Sequence, residues 1–389
     1  MKGSAMPYFD HNATTPVHPE VADAVARVLR EEFGNPSSVH RYGQRAKAIL
    51  DEARTAVAAL VGGDPSEVVF TSGGTEADNF ALRGAAEALE PTGRRHLIAS
   101  AIEHEAVLNT LKALTRRGWK TTLLSVEARA VVSPDALRAA MTDDVAVVSV
   151  MHANNEVGTI QPVAKLAAIA HERGAVFHTD AVQSAGKIPV NVRELGVDLL
   201  SLSAHKFNGP KGVGALWVRR GLRMSALLTG GRHERNRRAG TENVAGIAGL
   251  GVAAQRARLK LGVEAPTLAA LRDRLEMGIL NAVPGTAVNG DPAARVPNTS
   301  NISFDGVEAE SLLIALDLEG MAVSTGSACS SGALEPSHVL RAMGLPSHRT
   351  QNSIRFSLGQ GNTEAEVDEL LAVLPRVVSK LRAITGVRR

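Results

Sequence analysis

The chain has 389 residues, 44% of them hydrophobic, which is enough for one large α/β domain with a smaller companion. Its 43 basic and 40 acidic residues give a net charge of +3, too even a balance to argue for nucleic acid. No apolar run reaches the roughly 18–20 residues that span a bilayer, and the N-terminus shows no secretory segment. The expected setting is therefore the cytoplasm, with neither nucleic acid nor membrane as a partner. The single cysteine, Cys329, excludes an internal disulfide framework and a multi-cysteine zinc site.

From about residue 65 to 220, β-rich runs alternate with helical patterns. Strands are predicted over 68–71, 96–100, 121–126, 145–150, 175–179, 198–202 and 214–218. Helices over 76–90, 105–117 and 163–173 fall between several of them. That rhythm predicts a mostly parallel sheet wrapped by helices. A second region begins near residue 262, with Pro266 close to the junction. It reads as helix 268–282, strand 299–304, helix 308–319, a Gly/Ser-rich loop, strand 353–358 and a closing amphipathic helix 363–384. Pro375 is expected to kink or interrupt that last helix. The mixed order predicts a smaller α+β domain.

Three polar motifs sit at strand ends, where open α/β sheets bind ligands. Strand 68–71 runs into Ser72, Gly73, Gly74, Thr75 and Glu76. The two glycines and the following helix start suit an anion, although from this stretch alone the signal is weak and a plain tight turn capped by Thr75 is the commoner reading. Lys206 follows Ser203 and His205 at the end of strand 198–202. Such a lysine is commonly a solvated surface residue, but one desolvated beside cations can form a Schiff base. Ser203 and His205 are then candidate phosphate ligands. Asp180 ends strand 175–179, where it reads either as a helix N-cap or as a carboxylate holding a pyridinium nitrogen protonated. Gln183, three residues on, is placed to meet the ring's phenolic oxygen. Anion cup, carboxylate and lysine on successive strand ends form the set that a pyridoxal 5'-phosphate (PLP) enzyme requires. The basic run 232–238 reads by itself as a solvated loop.

With these pieces in place, the sequence resembles the NifS/IscS type of cysteine desulfurase, a class V aminotransferase-fold family. The resemblance runs nearly the whole length and rests on NATTP (12–16), GNPSSVH (34–40), TSGGTEADN (71–79) and EHEAV (103–107). It continues through HANNEVG (152–158), DAVQSAGK (180–187), SAHKFNGPKG (203–212), GSACSSG (326–332) and IRFSLG (354–359). It implies the PLP-dependent transferase fold (fold type I), an α/β architecture. The large PLP-binding domain would span 15–261, and 1–14 with 262–389 would form the small domain carrying the cysteine loop.

The resemblance also implies roles. Lys206 is similar to the lysine that carries PLP, Asp180 to the partner of its pyridine nitrogen and Gln183 to that of its phenolic oxygen. His104 resembles the imidazole that stacks on the ring and helps move protons. Gly74, Thr75, Ser203 and His205 resemble the phosphate cup, and Thr241 the threonine that reaches the phosphate of a neighbouring subunit. Run 232–238 thereby gains a dimer-interface reading, and a homodimer is implied. Asn155 and Arg355 resemble the clamp on the substrate carboxylate. Free cysteine is usually a small buried hydrophobe. Cys329 instead resembles the nucleophile that takes sulfur from L-cysteine as a persulfide and leaves L-alanine. Its flanking glycines suit a loop that carries sulfur outward, and its length resembles the long-loop branch rather than a SufS-like one. The implied partner is a sulfur acceptor such as an iron–sulfur scaffold. No resident metal is expected, with Cys329 a candidate transient cluster ligand.

Two departures from the family pattern, His11 and Gly359-Gln360-Gly361, fall near the expected pocket rim. Rival readings are an aminotransferase, which has no use for a thiol at 329, a selenocysteine lyase, and a silent scaffold partner. The intact set of Lys206, Asp180 and Cys329 argues against the last.

Overall fold

The computed structural model describes residues 6–325 and 336–384. Its strands are β1 (Val68–Thr71), β2 (His96–Ser100), β3 (Lys120–Leu124), β4 (Val145–Ser149), β5 (Val176–Asp180), β6 (Leu199–Ser203) and β7 (Gly214–Val218), followed by β8 (Thr286–Asn289), β9 (Thr299–Phe304) and β10 (Ser353–Ser357). The helices up to residue 200 are α1 (Pro19–Glu31), α2 (Arg41–Leu60), α3 (Gly74–Leu89), α4 (Glu105–Thr115), α5 (Pro134–Ala140), α6 (Val163–Glu172) and α7 (Val192–Leu195). Beyond it come α8 (Val244–Ala282), α9 (Ala309–Leu318), α10 (His338–Ala342), α11 (Ser347–Gln351) and α12 (Glu364–Ile384). The mostly parallel sheet expected from the alternating pattern is present, and each predicted strand lies within two residues of its place. Helices α1, α2, α5, α7, α10 and α11, and strand β8, stand outside the predicted set.

The seven-stranded sheet has the order β1-β7-β6-β5-β4-β2-β3. Strand β7 runs antiparallel to both neighbours, and the pairs β6/β5, β5/β4, β4/β2 and β2/β3 are parallel. Two antiparallel steps make β1 parallel to β6, so the C-terminal ends of β1, β6, β5, β4 and β2 share one edge. The interior strands are buried on both faces because helices cover both faces. On one side β-residues pack with Leu50 and Val57 of α2, Leu166 of α6 and Leu250 of α8. On the other they meet Phe80 of α3 and Leu111 of α4. Only edge strand β3 is mostly solvated, and Lys120 with two threonines keeps that edge polar.

A second apolar core joins the antiparallel sheet β10-β9-β8 to α9, α12 and the second half of α8, through Ile302, Phe356, Leu312, Leu370 and Leu275. The N-terminal segment belongs to it: Phe9 is in that core, and His11 N–H donates to Ser357 O at 3.0 Å. Helix α8 contributes its first half to one core and its second to the other. That division is our basis for proposing a domain boundary near residue 262.

The expected helix 268–282 is thus the second part of a 39-residue helix that continues through Pro266. Proline removes only the bond to the carbonyl of residue 262, and Gly262 is exposed, so water can take its place. Helix α12 likewise continues through Pro375. The two departures His11 and Gly359 are partners: a Cβ on Gly359 would lie 2.1 Å from His11 Nδ1.

Candidate active site

Each polar motif reaches the same place because its strand ends at the shared edge. Beyond β1, the chain turns through Gly73 into α3, whose first N–H groups have no side-chain cap. The cap position is Gly73, so Thr75 is free of the capping role and stands inside the first turn. A Cβ on Gly74 would meet Val182 Cγ2 at 2.9 Å, so the second residue beyond Asp180 packs against the cup. Asp180 ends β5 and accepts the Val182 N–H at 2.8 Å, which caps the turn and fixes the carboxylate. Burial raises its pKa, opposed by His104 and Lys206. Ser203 ends β6, and Lys206 follows one short turn later.

A cavity of about 570 Å³ opens at this edge, within the usual range for small-molecule sites. Gly74, Thr75, His104, Asn155, Asp180 and Gln183 line it, together with Ser203, His205, Lys206 and Arg355. Lys206 Nζ donates to the backbone carbonyls of Asn12 at 2.6 Å and Ala13 at 2.9 Å. Burial, helped by Arg355 and opposed by Asp180 and Asp10, brings its pKa down to about 8. His205, lowered to about 4 by burial and then by Lys206 and Lys211, is a neutral ring at neutral pH. It contacts Thr14 Oγ1 through Nδ1 at 3.1 Å.

His104 is both the N-cap of α4 and a wall of the cavity. Its Nδ1 accepts the Ala106 N–H at 3.1 Å, so the neutral ring carries its proton on Nε2. Arg355 is held by Asp10 Oδ1 at 2.6 Å and Asn155 O at 3.0 Å, leaving guanidinium face toward the cavity it lines.

An aminotransferase class-V family profile matches residues 7–370. The chain belongs to the class-V aminotransferase family, with the cysteine desulfurases. It is 49% identical over 378 residues to the cysteine desulfurase of Trichormus azollae, covering 97% of this chain and 94% of that protein. The cysteine desulfurase IscS of Dictyoglomus turgidum is 49% identical over 378 residues, with 97% and 96% covered. A solved NifS-like protein superposes with a TM-score of 0.91 at 39% identity, covering 96% of this chain and all of that one.

Class-V aminotransferases bind PLP, and this cavity fits it. It joins an uncapped helix start for a phosphate, a buried carboxylate for a pyridinium nitrogen and a lysine amine of lowered pKa for an aldehyde. One expected residue lies elsewhere. Thr241 is exposed and does not line the cavity. Cys329 lies outside the described residues. Run 232–238 is not purely solvated either: Glu234 is buried and forms a two-point ion pair with Arg54 at 2.7–2.8 Å.

Sequence reasoning assigned no role to three further wall residues, Asp10, Asn12 and Asp78. Asn12 and Asp78 stand inside quoted motifs, and Asp10 two residues before one, so the signal was present without its chemistry. Asp78 is buried, its Oδ1 makes no hydrogen bond and lies 3.6 Å from His178 Nε2, and its pKa is raised well above the usual carboxylate range by burial and by Asp180. His11, Gly359 and Gln360 line a separate small cavity of about 50 Å³ that shares Lys206.

Proposed function

We propose that the chain removes sulfur from L-cysteine, giving L-alanine and a persulfide on Cys329. One observation carries this reading: Lys206, Asp180 and Arg355 share a single cavity that contains an anion cup. Bound PLP would supply an electron sink for the charge left at Cα when its proton departs. Gly74, Thr75, Ser203 and His205 hold the phosphate end, and Asp180 keeps the ring nitrogen protonated. Arg355 and Asn155 hold the substrate carboxylate, fixing which Cα–H bond faces Lys206. With its pKa near 8, Lys206 can take that proton at neutral pH and return it later. His104, protonated on Nε2 when neutral, serves proton traffic at the substrate sulfur.

Cys329 stands four residues beyond Thr325, itself a wall of the cavity. Its thiolate attacks the substrate sulfur; an S–S bond forms and the C–S bond breaks. Cysteine and the enzyme thiol thus become alanine and a persulfide with no outside oxidant. The sulfur then passes to an acceptor protein, for which an iron–sulfur scaffold is our reading, with Cys329 a transient ligand to the growing cluster. Thr241, exposed in one chain, is read as completing the phosphate site of a second copy in a homodimer. Among the described residues no helix is long and apolar enough to cross a membrane, and we read the cytoplasm as the setting.

The test is incubation of the holoenzyme with L-cysteine and a reductant, measuring alanine, sulfide and the visible spectrum together. Equal alanine and sulfide are expected, both lost in Cys329→Ser while the bound-PLP spectrum stays. Turnover at the normal rate in that variant would make the thiol a bystander. Lys206→Ala is expected to lose the visible absorbance.

A further inference from the structure

Lys187 closes the motif 180–187 and has no part in the chemistry above. It is buried, and its Nζ donates to Gln183 Oε1 at 2.6 Å and to Asn12 Oδ1 at 2.9 Å. Gln183 Nε2 in turn donates to the Asn12 backbone carbonyl at 2.9 Å. That same carbonyl accepts Lys206 Nζ at 2.6 Å. Asn12 Oδ1 also accepts from Asn298 Nδ2 at 3.1 Å, which anchors the chain of contacts to the second domain.

A primary amide has one oxygen and two N–H groups. Lys187 takes the oxygen of Gln183, and the Asn12 carbonyl takes one N–H. The remaining N–H is what Gln183 can offer the cavity it lines. A flipped amide would set its oxygen against the Asn12 carbonyl and its NH2 against the lysine's donors. The amine and the Asn12 carbonyl together decide which end of Gln183 faces the site, and an N–H there suits an anionic oxygen.

We propose that Lys187 is a positioning residue that, through Gln183 and Asn12, holds an N–H donor toward the phenolic oxygen of bound PLP and the Asn12 carbonyl beside Lys206. This rests on Gln183 being the partner of that oxygen. Lys187 has no hydrogen-bonded carboxylate among the described residues; the charged groups felt at its amine are Lys206 and Arg355, and His11 feels its charge in return. Burial, with Lys206 and Arg355, keeps the amine well below the ordinary lysine range. It is thus a buried donor rather than half of an ion pair.

The test is a pH titration of the visible absorption of the holoenzyme, where Asp180, Arg355, Asp10 and Lys206 are left in place. Losing a donor raises the basicity of the phenolic oxygen, so Lys187→Met is expected to move the spectral midpoint up by about half to one pH unit, the size of one ordinary hydrogen bond. The same change made in Gln183→Ala is expected to add nothing. An equal shift in both backgrounds, or none in the unaltered one, overturns the proposal. If Gln183→Ala itself leaves the titration unmoved, the assignment of Gln183 falls and takes the proposal with it. A shift in Gln183→Ala alone overturns only Lys187. Should Lys187→Met not yield folded holoenzyme, Lys187→Gln serves: its shorter chain cannot reach both oxygens, and an upward shift is again expected.

Discussion

An amine adds to an aldehyde only as the free base, so capture of PLP by Lys206 should follow the neutral fraction of its amine. Burial and Arg355 bring that amine to about 8 from the 10.5 of an unperturbed lysine. Near pH 7.5 this leaves about a quarter of the molecules neutral instead of about one in a thousand, a gain on the order of 200-fold in capture rate. The assay mixes apo-protein with excess PLP and follows the growth of visible absorbance across a pH series. The rate is expected to rise with pH and level off above a midpoint near 8. Replacing Arg355 by Met should move the midpoint up, because a repelling cation is gone. Asp180→Asn should move it down, since Asp180 favours the protonated amine. A midpoint near that of an exposed lysine, unmoved by either change, refutes the reasoning.

Arg355→Ala should raise KM for cysteine roughly 10- to 100-fold, as loss of a charge-assisted hydrogen bond implies, with kcat less affected; initial rates decide it, and an unchanged KM removes Arg355 from the clamp. Glu234→Ala leaves Arg54 buried without its partner, in a pair whose side chains are 9% and 2% exposed. It should cost about 3–5 kcal/mol in a denaturant titration, and a loss below about 1 kcal/mol contradicts the pair's importance. Glu103, raised to about 8 chiefly by burial, binds a proton in the folded state that the unfolded chain has released above its ordinary 4.5. Its share of stability is therefore full below about 4.5 and is lost as pH rises through about 8. Glu103→Gln should flatten that decline; unfolding curves at several pH values test it, and an identical slope in the variant speaks against a buried protonated acid.

Strand positions and the chemistry at their ends were legible from local sequence, because apolar runs bounded by polar turns need no long-range information. Gly74, Asp180, Ser203 and Lys206 were found that way, while His104, Asn155 and Arg355 came from family resemblance. His104 shows why: taken locally it is a helix N-cap, which it is, and only the fold makes that cap a cavity wall. The expected kink or interruption at Pro375 did not end α12, and α8 also continues through Pro266, where the carbonyl left without its bond belongs to exposed Gly262, so that one helix spans two cores.

What the sequence determined by itself was the inventory: which groups could hold an anion, a pyridinium and an aldehyde, and that each follows a strand. The tertiary structure decided how they meet. Two antiparallel steps through β7 bring the end of β1 to the same edge as β5 and β6, so the anion cup faces Asp180 and Lys206. The N-terminal segment, pinned to β10, then delivers the Asn12 carbonyl to Lys206 from 194 residues away in sequence. Sequence spacing carries no trace of such contacts, because strand order and chain return are set by packing two cores around one long helix.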